Sequence, residues 1–234
     1  MHGFTWFNLI PFLNKYTTHE YIHVVTACFV GLICILLAIF MGIKLRKIKN
    51  SEIPDARFNF RNVIEILSEM IFSLATEIMG DHNARRFFPA LASVFLFIFF
   101  NNLIGLIPGF LPATDNINTT FACGLFVFIY YNYVGFKEHG FSYVKHFFGP
   151  ILWLAPLMLP IELISNAVRP FSLGLRLFGN MTGDHLVLSI FSDLVPVGVP
   201  IVFLALGLFV CFFQALIFTI LSTIYLTLAI SDDH

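Results

Sequence analysis

From Tyr21 to Ile43 the chain runs without a single Asp, Glu, Lys or Arg, and it then meets the basic cluster Lys44-Leu45-Arg46-Lys47-Ile48-Lys49. A helix needs about 20 mainly apolar residues to cross the hydrocarbon of a bilayer. Inside lipid every backbone N–H and C=O must find its partner within the protein, which leaves few alternatives to a helix. Composition extends the argument to the whole chain. Charged residues make up 12% of the 234, against about 25% in an ordinary soluble domain, and 58% are hydrophobic, 30 of them Phe. A mean hydropathy of +0.86 over the full length points to an all-α polytopic membrane protein. Net charge, at −1, singles out no partner, and nucleic acid is not expected among them.

The remaining spans follow from the same test. Helices are expected over 87–107, 119–136, 150–189 and 197–230. Lys44 to Lys49, Arg85-Arg86, and Lys137 with Lys145 and His146 all fall in connections on one side of the spans, while the segment 108–118, on the other side, holds no Lys or Arg. Positive flanks mark the cytoplasmic face, so the amino terminus is expected outside the cell and His234 inside. The first apolar run is too long for a cleaved signal peptide and is expected to be retained. Residues 1–59 form an amino-terminal span with its basic loop, and 60–234 form one membrane domain. Within the latter, 60–80 differs: Arg61, Glu65, Glu69, Thr76 and Glu77 share one face, and Val63, Ile64, Leu67, Ile71, Leu74 and Ile78 another. Such a helix lies at the membrane interface or packs on other subunits. Cys28, Cys34, Cys123 and Cys211 fall in apolar runs at unrelated spacings, as small hydrophobes rather than as a disulfide or metal framework. Neither cofactor nor metal is expected.

Ile151 to Ile190 is the segment that carries chemistry. At ~1.5 Å per residue, about 40 helical residues extend ~60 Å, roughly twice the hydrocarbon thickness. Pro156, Pro160 and Pro170 permit kinks. On a helical wheel centred on Arg176, Arg169 falls about 20° away, and Glu162 and Asn180 about 40°. Ser165 and Ser172 lie about 20° and 40° to the other side, and Asn166 and Asp184 about 80° out. The strongly polar residues thus share one stripe, with His185 opposite. Lipid cannot solvate such a stripe, so it faces a bundle interior or an aqueous path. Arginine keeps its proton at any accessible pH, which makes Arg176 a fixed charge. Gly179 and Gly183 leave room beside it for another helix. In the last segment Gln214, a neutral donor and acceptor, shares a side with Gly207, Phe218, Leu221 and Tyr225. The last two helices are expected as long, strongly tilted partners in a hairpin.

These residues carry a resemblance. Phe171-Ser-Leu-Gly-Leu-Arg176-Leu-Phe-Gly-Asn180-Met-Thr-Gly-Asp184-His185 is similar to the signature of subunit a of the F-type ATP synthase membrane sector. Gln214 to Tyr225 resembles that family's final helix, Asn101-Asn102-Leu-Ile-Gly-Leu-Ile-Pro108 resembles its earlier span, and Glu162 stands at the family's distance before the arginine. The match covers residue 60 to the carboxy terminus, whereas the first 55 residues agree only in placing a span. The resemblance implies a proton-translocating stator that forms two half-channels against a rotating ring of c subunits. Its partners would be that ring, the peripheral-stalk b subunits and the soluble ATPase sector, in a bacterial inner membrane, and the subunit itself would not be the catalyst. Arg176 matches the stator arginine, Asn180 and Gln214 match positions near it, and Glu162, Ser165 and Asn166 match the path toward the cytoplasm; Tyr225 is counted with the proton path. Many bacterial members carry an acid at the position of His185 and a histidine at that of Gly207. Here the histidine stands at 185 and its usual partner site is Gly207, with Asp184 adjacent, a trade across the helices as in other members including mitochondrial ones, which leaves both Asp184 and His185 as relay candidates. A haem or quinone subunit would need paired histidines within apolar helices, which the eight histidines do not supply. A stand-alone secondary transporter would show repeated halves, whereas the polar stripe occurs once.

Overall fold

A computed structural model describes residues 21–46, 60–107, 110–140, 155–194 and 198–231. The basic cluster beyond Arg46, Lys145 and His146, and the start of the helix expected at 150 lie outside the described residues. The fold is all-helical among the described residues: α1 Ile22–Arg46, α2 Phe60–Gly105, a 3-10 turn at Ala113–Asp115, α3 Ile117–His139, α4 Ala155–Leu194 and α5 Val199–Ile230. Among the described residues four stretches, Ile22–Phe40, Asn62–Gly105, Ile117–His139 and Pro200–Ile230, are long and apolar enough to cross a membrane. The expected polytopic all-α class holds. Helix α4, at 40 residues, is not among the four because it carries Glu162, Arg169, Arg176 and Asp184.

Two compact units divide the chain. The first contains α1, α2 and Leu208–Ile220 of α5. Its α2 is broken by Gly80, whose φ of 77° and ψ of 158° leave the helical region. An L side chain rarely adopts that conformation, and glycine does so without steric cost. The break separates the amphipathic stretch from the span, and the second helical stretch resumes at Asp81 rather than at the expected Phe87. Arg85 and Arg86, read as flanks, therefore lie inside a helix. Arg85 Nε meets Asp81 Oδ2 at 3.0 Å, and its guanidinium carbon stands 5.8 Å from the Phe72 ring centroid. Of the residues assigned to the apolar face of this stretch, Ile71 is buried along with Ala75 and Met79, whereas Val63 is exposed. Farther along, Phe95 stacks on Phe99, and both meet the edge of Phe212 from α5.

The second unit holds residues 114–207 and 221–234. Here α3 and α4 lie against each other at two glycines. A Cβ on Gly124 would sit 2.5 Å from the Pro170 carbonyl oxygen, and one on Gly174 would sit 3.1 Å from Phe121 Cα. Small residues are what let helix backbones come this close when hydrocarbon offers no hydrophobic drive to associate. The side of α3 that is buried reads Thr120, Gly124, Val127, Tyr131, Val134, the three- and four-residue spacing of one helical face. Asn116 caps α3 by accepting from Asn118 N at 2.9 Å. At its other end, His139 Nε2 lies 3.2 Å from the Ile230 carbonyl oxygen, tying it to the end of α5. The close backbone neighbour of α4 is therefore α3. Its contact with α5 is made by side chains, Phe191 stacking on Phe203 at 4.8 Å and Arg169 lying over Tyr225. Those contacts stand equally far along each helix from their connection, as in an antiparallel hairpin.

Candidate functional site

The polar stripe of α4 divides into an open part and a buried edge. Pro170, Leu173, Leu177 and Met181 are buried, and on the wheel they centre about 100° from Arg176. Ser165, Ser172, Arg176 and Asn180 are exposed, together with Gly179 and Gly183, while Glu162, Arg169, Asp184 and His185 are half-buried. The helix thus buries an apolar side against α3 and turns its fixed charge outward. Nothing lies within 4 Å of a Cβ built on Gly179 or Gly183. Sequence reasoning assigned close helix approach to these two positions, but within the chain that role falls to Gly124 and Gly174. The reason is geometric: a wheel shows which residues share a face, not which face meets the neighbouring helix.

Asn166 is the stripe residue drawn inward. It is 6% exposed, and its Oδ1 accepts a short hydrogen bond from the Tyr131 hydroxyl on α3. The Tyr131 ring lies 6.0 Å from that of Tyr225, tilted by 47°, and the Arg169 guanidinium carbon stands 5.2 Å from the Tyr225 centroid. At this range a guanidinium gains about 0.5–2 kcal/mol from the ring face, more where water is excluded. The cluster thus joins α3, α4 and α5, and it contains Asn166 and Tyr225 from the sequence-predicted set. Tyr131 and Arg169 complete it. Tyr131 is absent from that set, although its place in the Thr120–Gly124–Val127–Val134 periodicity marks it as inward-facing.

A second contact escaped the sequence reading. Thr182 Oγ1 donates to Asp115 Oδ1 at 2.8 Å, fastening the turn before α3 to α4 close to Asp184 and His185. Its only sequence signal was an acid alone in a segment without basic residues. The Nε2 atom of His185 is buried and has no hydrogen-bond partner among the described residues. Gln214, half-buried, belongs to the part of α5 in the first unit. Arg176 makes no ion pair among the described residues. What the stripe offers chemically is the permanent charge of Arg176 on an open face and that of Arg169 held over Tyr225, with proton-bonding side chains above and below on the same helix.

The sequence of the chain from residue 24 to 227 matches the family described as ATP synthase A chain. It is 48% identical to an ATP synthase subunit a of Bdellovibrio bacteriovorus, over 99% of this chain and 100% of that protein. It is 47% identical to an ATP synthase subunit a 1 of Pelobacter propionicus, over 87% of this chain and 86% of the relative. With an ATP synthase subunit a of Geobacter sulfurreducens the identity is 43%, over 87% and 85%.

Proposed function

The chain belongs to the ATP synthase A chain family, and from that membership we propose that Arg176 is the stator charge past which the carboxylates of a rotating c-subunit ring are carried. The protein is a multi-pass membrane protein, a component of the ATP synthase complex and its proton-translocating stator subunit. The site reading goes further and rests on one observation, the outward-facing Arg176 beside open positions at Gly179 and Gly183. A cation turned into hydrocarbon carries a penalty of at least about 2.5 kcal/mol. Covering that face with a partner that supplies opposite charge removes the penalty.

An ionised carboxylate is costly in lipid, and protonation neutralises it. Ring carboxylates therefore travel protonated through the bilayer. Opposite Arg176 the ionised form is favoured, and the proton leaves into one half-channel. The next carboxylate takes a proton from the other. Glu162, Ser165, Asn166 and Tyr225 are assigned to the path toward the cytoplasm, Asp184 and His185 to the relay on the outer side, and Asn180 and Gln214 to the surroundings of the arginine. Arg176 holds its own proton and so blocks direct leakage between the two paths. The membrane potential supplies about 2.3 kcal/mol per charge per 100 mV. In this reading the subunit contributes no catalytic group to ATP formation; it meets the c-subunit ring, the peripheral-stalk b subunits and, through them, the soluble ATPase sector. The amino terminus lies outside a bacterial inner membrane and the carboxy terminus inside.

Arg176→Ala should abolish ATP-driven proton pumping in inverted vesicles while the assembled complex keeps hydrolysing ATP. Arg176→Lys should pump poorly, because an ammonium sheds its proton when desolvated. Pumping near the wild-type rate in normally assembled Arg176→Ala complex would overturn the assignment.

A further inference from the structure

Tyr131 is 1% exposed and lies on the side of α3 that faces α4, away from the open stripe. Its hydroxyl nevertheless has a specific occupation. A buried phenol needs a hydrogen-bond partner, and this one donates to Asn166 Oδ1 on α4. The two ends of an amide point in different directions. Holding the oxygen toward α3 turns the amide nitrogen, with its two donors, away from Tyr131. The stripe thereby receives an amide of defined orientation at its buried edge.

The same residue governs a second group. The Tyr131 ring stands 6.0 Å from the Tyr225 ring, and Tyr225 presents its face to Arg169 at 5.2 Å. Arg169 lies two helical turns from Arg176 on nearly the same side, so its charge is about 10 Å away along the helix. A second guanidinium free to swing would compete with Arg176 for a passing carboxylate. Held over Tyr225, it is confined.

We propose that Tyr131 is a positioning residue of the inner half-channel, fixing the Asn166 amide through its hydroxyl and bracing through its ring the Tyr225 face on which Arg169 rests. This rests on the assignment of Asn166 and Tyr225 to that half-channel. Tyr131, buried on α3, acts through these two neighbours.

The test is passive proton conductance of vesicles stripped of the soluble sector, normalised to the amount of assembled membrane sector. Tyr131→Phe keeps the ring against Tyr225 and deletes the hydroxyl, and conductance should fall about fivefold, the kinetic equivalent of one hydrogen bond's net worth. Asn166→Leu should fall at least as far. Adding Tyr131→Phe to Asn166→Leu should lower conductance no further, because the hydroxyl acts through that amide. A purely structural residue would instead reduce assembly or heat resistance and leave conductance per assembled sector at the wild-type level. That result overturns the proposal, as does failure of Tyr131→Phe to assemble, or an equal loss in the Asn166→Leu background. Glu162→Gln separates the two layers of the argument. If it lowers conductance and Tyr131→Phe does not, Tyr131 alone is misassigned; if Glu162→Gln conducts normally, the half-channel assignment beneath the proposal falls.

Discussion

Replacing Gly124 with Ala tests how α3 and α4 are held together. The added Cβ would stand 2.5 Å from the Pro170 carbonyl oxygen, and ordinary contact begins near 3.4 Å, so the two backbones must part by about 0.9 Å. No rotamer change relieves this, because the atom in the way is backbone. Overpacking of this kind costs about 1–3 kcal/mol, and a backbone clash belongs at the upper end. Against it, Ala is the better helix former by about 0.8–1 kcal/mol. The net loss is therefore about 2 kcal/mol, a factor of roughly 30 in an equilibrium constant. At Gly174 the Cβ would meet Phe121 Cα at 3.1 Å, a milder approach, so Gly174→Ala should cost about half as much. Gly179→Ala and Gly183→Ala meet nothing, and their effect on the chain's own stability should be neutral or favourable. If a partner ring covers that face, those same two substitutions should impair pumping in fully assembled complex. The assay pairs the heat resistance of the subunit within purified complex with ATP-driven pumping. Wild-type heat resistance in Gly124→Ala, or lower resistance in Gly179→Ala than in Gly124→Ala, would refute the packing argument.

In a background lacking the four native cysteines, Asn118→Cys should react with a reagent that cannot cross the membrane, and Ser142→Cys should not. The reverse pattern in intact cells would invert the topology. Asn118 suits the purpose because it is exposed, whereas the neighbouring Asn116 side chain caps α3. Translocation should be specific for protons, since a histidine beside a carboxylate suits relay better than sodium coordination. ATP synthesis driven by a sodium gradient in the presence of an uncoupler would contradict this.

How much of this was legible in the sequence depends on what lipid can and cannot solvate. The stripe from Glu162 to Asp184 stood out because each polar side chain in an apolar segment has to be satisfied by something other than lipid. Gly80, by contrast, is one of the 15 glycines, and nothing in its neighbours announces a φ of 77°. The helix start at Asp81 was likewise hidden, because Arg85 and Arg86 look like a flank until Asp81 is seen one turn back to pair with Arg85.

Apolar packing was the least legible layer, and the reason is specific to membranes. In water, burial would separate Leu173 and Leu177 from Leu175 and Leu186 by their energies. Here the first pair is buried at 2% and 1% and the second is exposed at 54% and 56%, yet all four are leucines, because lipid tails are as apolar as the protein core. Hydrophobic periodicity therefore cannot tell which side of α4 meets α3. Small residues could have told, but Gly174 and Gly179 are equally small, and only the position of α3 distinguishes them. Tyr131 follows the same logic with one difference. Its ring is as welcome in lipid as in a helix interface, whereas its hydroxyl is not. A buried tyrosine in the middle of a span thus implies a hydrogen-bonding partner on another helix, and Asn166 is the stripe residue that the structure brings to it. Polar groups in such a chain identify each other across helices where apolar groups remain ambiguous, which is why the polar stripe is more legible than the apolar packing around it.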